Sequence, residues 1–169
     1  QTAQLQGLTT DQIALLASGQ IQALTTANIT GLSSAQIAAL TTSNIAGLQS
    51  VDLAAITTNA IQGLQPDDVA ILRTAQIQGI TTAQINVLGT AQVQALQTDH
   101  LKIFSSAQIS GLSSDGVQSL ASGQIQALTT ANITGLSSAQ IAALTTTNIA
   151  GLESADLARI TTTAIQGLA

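Results

Sequence analysis

Two clusters in this chain carry side chains that could do acid–base or metal chemistry: the adjacent carboxylates Asp67 and Asp68, and the group Asp99, His100 and Lys102. A hydrolytic pair needs two carboxylates converging across a cleft from different environments, whereas neighbours on one helical turn diverge. A zinc site needs three or four converging ligands, and this chain has one His and no Cys. Calcium would need a loop rich in oxygen ligands, but the acids are mostly spread singly. Ser and Thr are abundant, yet without a partner base they read as helix caps and not as nucleophiles. The sequence therefore predicts no catalytic residue, no cofactor-binding residue and no metal ligand, in a protein that is not an enzyme.

The element that positions these residues is a repeat. Thr-Thr-x-Gln-Ile-x-x-Leu runs 21 times in unbroken register from Gln1 to Leu168. Place 5 of the octad is Ile, Leu or Val in every copy, and place 8 is Leu except at Ile56, Ile80, Phe104 and Ile160. A period without insertions marks a stacked repeat, in which each copy is too small to bury its own apolar face. Residues 1–169 then form a single array, and the sequence has the look of a segment cut from a longer one. Within it, residues 17–64 match residues 121–168 at 43 of 48 places, an offset of 104 residues or 13 octads.

Composition narrows the function. Charged residues make up 7% and aromatic residues 1% of the chain, far below the norms for a globular enzyme, while 45% are apolar and fall at fixed places. A net charge of −5, with Arg73, Lys102 and Arg159 as the only Lys or Arg residues, argues against nucleic acid as a partner. No apolar run approaches the roughly 20 residues that cross a bilayer, so no membrane insertion is expected. The absence of Cys leaves the redox compartment open.

Apolar residues at places 5 and 8 cannot share one face of a strand. Nor can one continuous helix hold them, because eight residues advance the stripe by a drift of about 80 degrees per octad. The helix must restart in every octad, with the Ser/Thr pair as its cap. Two registers are open. Capping from place 1 makes the place-4 Gln (Gln12, Gln36, Gln84, Gln140) the partner in a capping box and puts Pro66 at the first helical position. Capping from place 2 explains why that place is Ser or Thr in 20 of 21 octads, and this register is preferred.

The charges agree with serial short helices. All eight acids (Asp11, Asp52, Asp67, Asp68, Asp99, Asp115, Glu153, Asp156) stand at places 1 to 4, while Lys102 and Arg159 stand at places 6 and 7. That split matches the helix dipole, with Arg73 at place 1 as the exception. Phe104 is expected to fill a core place and His100 to replace a first-turn Gln at the surface. Gly recurs at place 7, most often every 16 residues (Gly31, Gly47, Gly63, Gly79), which suits a left-handed turn or a close backbone approach. The expected fold class is an all-α solenoid of very short helices, one per octad, with two octads per layer; three octads per coil is the alternative.

The octads TTDQIALL, SSAQIAAL, TTAQINVL and GTAQVQAL resemble the Thr/Ser-Thr/Ser-Ala-Gln-Ile/Val-x-x-Leu arrays of very large bacterial secreted or adhesin-like proteins. That resemblance covers the whole chain, transfers no functional residue, and implies an extracellular or cell-surface setting. The expected function is a structural spacer or stalk segment. Its partners are the neighbouring repeats of the same array, with weak end-to-end self-association because the first and last octads keep the ordinary aliphatic pattern. Two alternatives are a protein- or carbohydrate-binding solenoid surface and an ice-binding Thr array. The first lacks Tyr, Trp and Met anchors. The second loses its Thr rows wherever the hydroxyls are consumed as caps.

Overall fold

The computed structural model describes residues 5–168. Contacts divide the chain into two compact units that meet in sequence at Val87 and Leu88. Among the described residues there is no strand; 17 α-helices of four to six residues and four 3-10 segments follow one another at the period of the octad. The fold is an all-α solenoid of short helices.

The described α-helices begin at the start of the octad, and the cap lies at place 1 and not at place 2, whether place 1 is Ser or Thr, as at Thr81, or another residue, as at Ala17 and Gln49. Thr9, Ser33, Thr81 and Ser105 are extended N-cap residues whose hydroxyls accept from the backbone N–H three residues on. The place-4 Gln returns the bond, as Gln84 Oε1 accepts from Thr81 N at 2.7 Å. This reciprocal box satisfies two orphan donors of the first turn. Pro66 stands at the first helical position, where its missing N–H costs nothing. The preferred place-2 register is thus corrected: place 2 is the first helical residue, and its side chain projects outward.

Helices end after one to one and a half turns at the place-8 residue, which is often extended, as at Leu48, Ile56 and Leu120. Two successive extended residues, at place 8 and the following place 1, make an open corner. Three such corners close one coil. In the first unit Ser18–Gln22 packs on Ile45–Gly47, Thr26–Ile29 on Ser50–Ala55, and Thr58–Ile61 on Thr82–Asn86. In the second, Thr90–Gln94 packs on Ser114–Ser119, and Ser122–Gln126 packs on Ile149–Gly151. Every one of these pairs is three octads apart, so the coil holds three octads and the expected layer of two is overturned. A two-octad layer would need hairpins; among the described residues no residue, glycine included, has a positive φ. The place-7 glycines therefore do not make left-handed turns. They serve close approach, as shown below.

The core is the inner lining of each coil. Place 5 is almost completely buried in both units, from Ile13 and Ile37 to Val117 and Ile141, and place 8 lies beside it. Burying each such side chain contributes about 1.5 to 3 kcal/mol relative to exposure. Phe104 fills a core place as expected.

Candidate functional site

The most developed polar feature of the molecule lies at place 4, which the sequence reading gave only a capping role. The Gln carbonyl is used by the cap, and this leaves two amide N–H donors per side chain. They point inward and back. Gln36 Nε2 donates to the carbonyls of Leu5 (2.8 Å) and Leu8 (2.9 Å), 31 and 28 residues earlier. Gln76 donates in the same way to Ile45 (3.1 Å) and Leu48 (2.7 Å), and Gln84 to Leu53 and Ile56 (both 2.6 Å). In the second unit Asn132 reaches Leu101 and Phe104, Gln140 reaches Ile109 and Leu112, and Asn148 reaches Val117 and Leu120. One side chain thus caps its own helix and clasps the place-5 and place-8 carbonyls of the preceding coil. Buried and fully paired, such a network fixes register as well as adding stability.

The reacting groups considered from sequence do not converge. Asp67 is exposed, while its neighbour Asp68 is buried. Burial pushes the Asp68 carboxyl above the usual aspartate range, and the Asp67 charge adds to the shift. Asp99 pairs with Lys102 at 3.1 Å on the surface, a contact of small energetic worth. His100, expected at the surface, is only 2% exposed. It occupies place 4, so its Nδ1 accepts from Gln97 N (3.1 Å) just as the Gln oxygen does elsewhere. Asp99 points out and His100 in, and no dyad forms. Among the described residues no group of three or more His, Cys, Asp or Glu is placed to hold a metal. None of their helices is long and apolar enough to cross a membrane.

Two shallow depressions mark the surface, each between a helix and the one three octads on. The larger, of about 380 Å³, is lined by Ser34, Ala35, Ala38, Asn59, Gln62 and Gly63 and has no titratable group. The smaller, of about 230 Å³, has Lys102 as its one titratable side chain. Neither offers an acid–base pair.

A second contact between coils joins place 7 to place 2. A Cβ built on Gly47, Gly63, Gly79, Gly135, Gly151 or Gly167 would stand closer than 3.0 Å to the carbonyl of Ser18, Ser34, Ser50, Ser106, Ser122 or Ser138, respectively, 29 residues earlier. The place-2 partner is Ser in every case. At Ala55, Ile71 and Val87, where place 7 is larger, the residue 29 earlier is Thr (Thr26, Thr42, Thr58), but Pro66 stands opposite Ala95, Ser114 opposite Ala143 and Thr82 opposite Gly111. This pairing at 29 residues was the signal in the sequence that could have revealed the three-octad coil.

No curated protein matches the chain. A family model described as the ALTTAQ repeat matches residues 16–50, 61–98, 93–130 and 117–152. Those six letters read across the corner just described: places 7 and 8 of one octad, then the cap, the first helical residue, place 3 and the clasp of the next, as in Gly79 to Gln84. With corner, cap and clasp recurring throughout, the chain belongs to the ALTTAQ repeat family.

Proposed function

We propose that this chain is a non-enzymatic structural spacer, a stalk segment of a large secreted or surface protein. The observation that carries the reading is the place-4 clasp. Its most elaborate polar chemistry is spent on binding one coil to the next, through Gln76 to Leu48 and Gln140 to Leu112, with no convergent reactive group beside it. A device of this kind adds coils without limit, because each coil presents amide donors to one side and carbonyl acceptors to the other. The extracellular or surface setting rests on the resemblance to bacterial secreted arrays alone.

The partner that fits the clasp face is another coil of octads. Gln12 and Gln20 cap their own helices, but their side-chain amides have no acceptor among the described residues. A coil from the same array, or from a second copy, would supply the missing carbonyls, and this is the chemical basis for weak end-to-end association. The spacer reading is tested by lengthening the chain in whole coils of three octads. Small-angle scattering should show the maximum dimension growing by a constant step per coil; a dimension that stops growing would defeat it.

A second reading, a hydroxyl-presenting surface for carbohydrate or ice, is favoured by one observation. Place-2 Thr residues such as Thr10, Thr26, Thr58 and Thr90 are exposed and are not consumed by the caps. Its test is direct: ice recrystallisation and glycan binding by the chain should both be lost on changing these four residues to Val and Ala, respectively, if either activity exists.

A further inference from the structure

Place 4 is not always an amide. Asp52, Ala60 and Asp68 hold it in octads 7, 8 and 9, so three successive octads, one full coil of the first unit, have no Gln or Asn there. Asp52 still caps its helix, Oδ2 accepting from Gln49 N at 2.9 Å, but neither a carboxylate nor a methyl group offers an amide N–H. In the clasp register the carbonyls left without that donor belong to Ile21 and Leu24, Ile29 and Leu32, and Ile37 and Leu40. Among the described residues those of Leu24, Leu32 and Leu40 accept no hydrogen bond, whereas Leu48 takes one from Gln76 and Ile56 one from Gln84.

One junction is weakened as a result. Within this unit, and among the described residues, one hydrogen bond spans the chain position between Leu40 and Thr41: Asn44 Nδ2 donates to the Ile13 carbonyl at 3.1 Å. A break between Leu32 and Ser33 would also meet both Gln36 bonds. A break between Leu48 and Gln49 would meet both Gln76 bonds and the bond from Arg73 to the Ala46 carbonyl. What remains at Leu40 and Thr41 is apolar packing, Thr26–Ile29 on Ser50–Ala55 and Ser34–Ala38 on Thr58–Ile61, with the contact of Gly63 on Ser34. Such packing is non-directional. The larger surface depression opens over the same junction, with Ser34, Ala35 and Ala38 on one wall and Asn59, Gln62 and Gly63 on the other.

We propose that this junction is a release seam: the first unit opens first between Leu40 and Thr41, freeing residues 5–40 as one cooperative piece while residues 49–87 keep their coils. Sub-global opening follows the boundary that breaks the fewest interactions. The use of the seam rests on the spacer reading, since a stalk segment built this way lengthens under load at one fixed place and recloses there. The seam is read by hydrogen exchange and the spacer by scattering, so either can fail while the other stands.

Native-state hydrogen exchange of the full chain in low denaturant tests the proposal. The amides of Ile29 and Ile37, bonded to the Thr25 and Ser33 carbonyls, should exchange through one shared opening, at least about tenfold less protected than those of Leu53 and Ile77. A step in protection across Leu40 and Thr41 is the signature of the seam. Protection that rises evenly from octad to octad, as fraying from an end gives, or one shared opening across the whole unit overturns the proposal. Ala60→Gln restores the usual place-4 residue and supplies two donors in register with the Ile29 and Leu32 carbonyls. It should raise protection at Ile29 and Ile37 by about tenfold and shrink the step. Ala60→Leu, which adds similar bulk and no donor, should leave the step in place. No gain with a folded Ala60→Gln variant, or an equal gain with Ala60→Leu, overturns the proposal; should Ala60→Gln misfold, the step in the parent chain decides.

Discussion

The α-carbon of Gly63 lies against the carbonyl of Ser34, so close that a Cβ on Gly63 would overlap it. Five further Gly–Ser pairs in the described chain repeat this contact, and in each the glycine is there for space and not for an unusual φ. Gly19 is the opposite case. It lies inside the helix Ser18–Gln22, and a Cβ there would meet nothing within 4 Å.

Alanine should therefore act with opposite sign at these two glycines. Gly63→Ala forces the coils apart and should cost about 1 to 3 kcal/mol, the usual penalty for overpacking. Gly19→Ala removes a poor helix former at an open position and should add up to about 1 kcal/mol. Denaturant unfolding of both variants checks the pair, and a loss at both positions would contradict the contact geometry.

Capping separates two adjacent threonines. Thr81 Oγ1 accepts from Gln84 N at 3.2 Å, whereas Thr82 is the exposed first helical residue. Thr81→Ala should cost about 0.5 to 2 kcal/mol and Thr82→Ala clearly less. Equal costs, read from melting curves, would remove place 1 as the cap.

How much of this was legible beforehand depends on the distance over which each residue acts. The short helices, the burial of Ile37 and Leu40, and the acids at helix starts follow from spacings within one octad, and the sequence displays them directly. The place of the cap was misjudged because the near-invariance of place 2 has a cause other than capping. In part that cause is the coil contact, in which the place-2 backbone lies against place 7 of the coil three octads on, as Ser34 does against Gly63. The burial of His100 and the clasping role of Gln84 depend on carbonyls about 30 residues away. Nothing within an octad shows which side of the helix faces the preceding coil, so place 4 looked like an exposed first-turn position.

The clasp predicts unequal effects at two glutamines with the same local sequence role. Gln84→Leu removes two buried donors and leaves the Leu53 and Ile56 carbonyls without them, which should cost about 2 to 5 kcal/mol. Gln20→Leu loses only the bond from Ala17 N and should cost about 0.5 to 1.5 kcal/mol. It also follows that Gln84→Asp and Ile85→Asp should both destabilise strongly, because both positions are buried. If Gln84→Leu melted like Gln20→Leu, the clasp would contribute nothing.

Octads 4 and 17 have the same sequence, TTANITGL, and different backbones. In octad 4, Asn28 only caps its own helix, and Thr30 N donates to the Thr26 carbonyl at 3.0 Å in an ordinary α-helical turn. In octad 17, Asn132 also reaches the Leu101 and Phe104 carbonyls; the helix tightens to a 3-10 segment, Ile133–Gly135, and among the described residues Thr134 N has no backbone acceptor. Asn is one methylene shorter than Gln, so the clasp is made by drawing the turn towards the preceding coil at the expense of one helical bond. Gln140, with the longer side chain, makes its clasp from an intact α-helix, Ser138–Ala142. Asn132→Gln should therefore restore the helical bond from Thr134 N without losing the clasp. Amide exchange at Thr134 should slow by about tenfold, while Gly135 and Leu136 change little. Unchanged exchange at Thr134, with the variant folded, would show that side-chain length does not set the helix type.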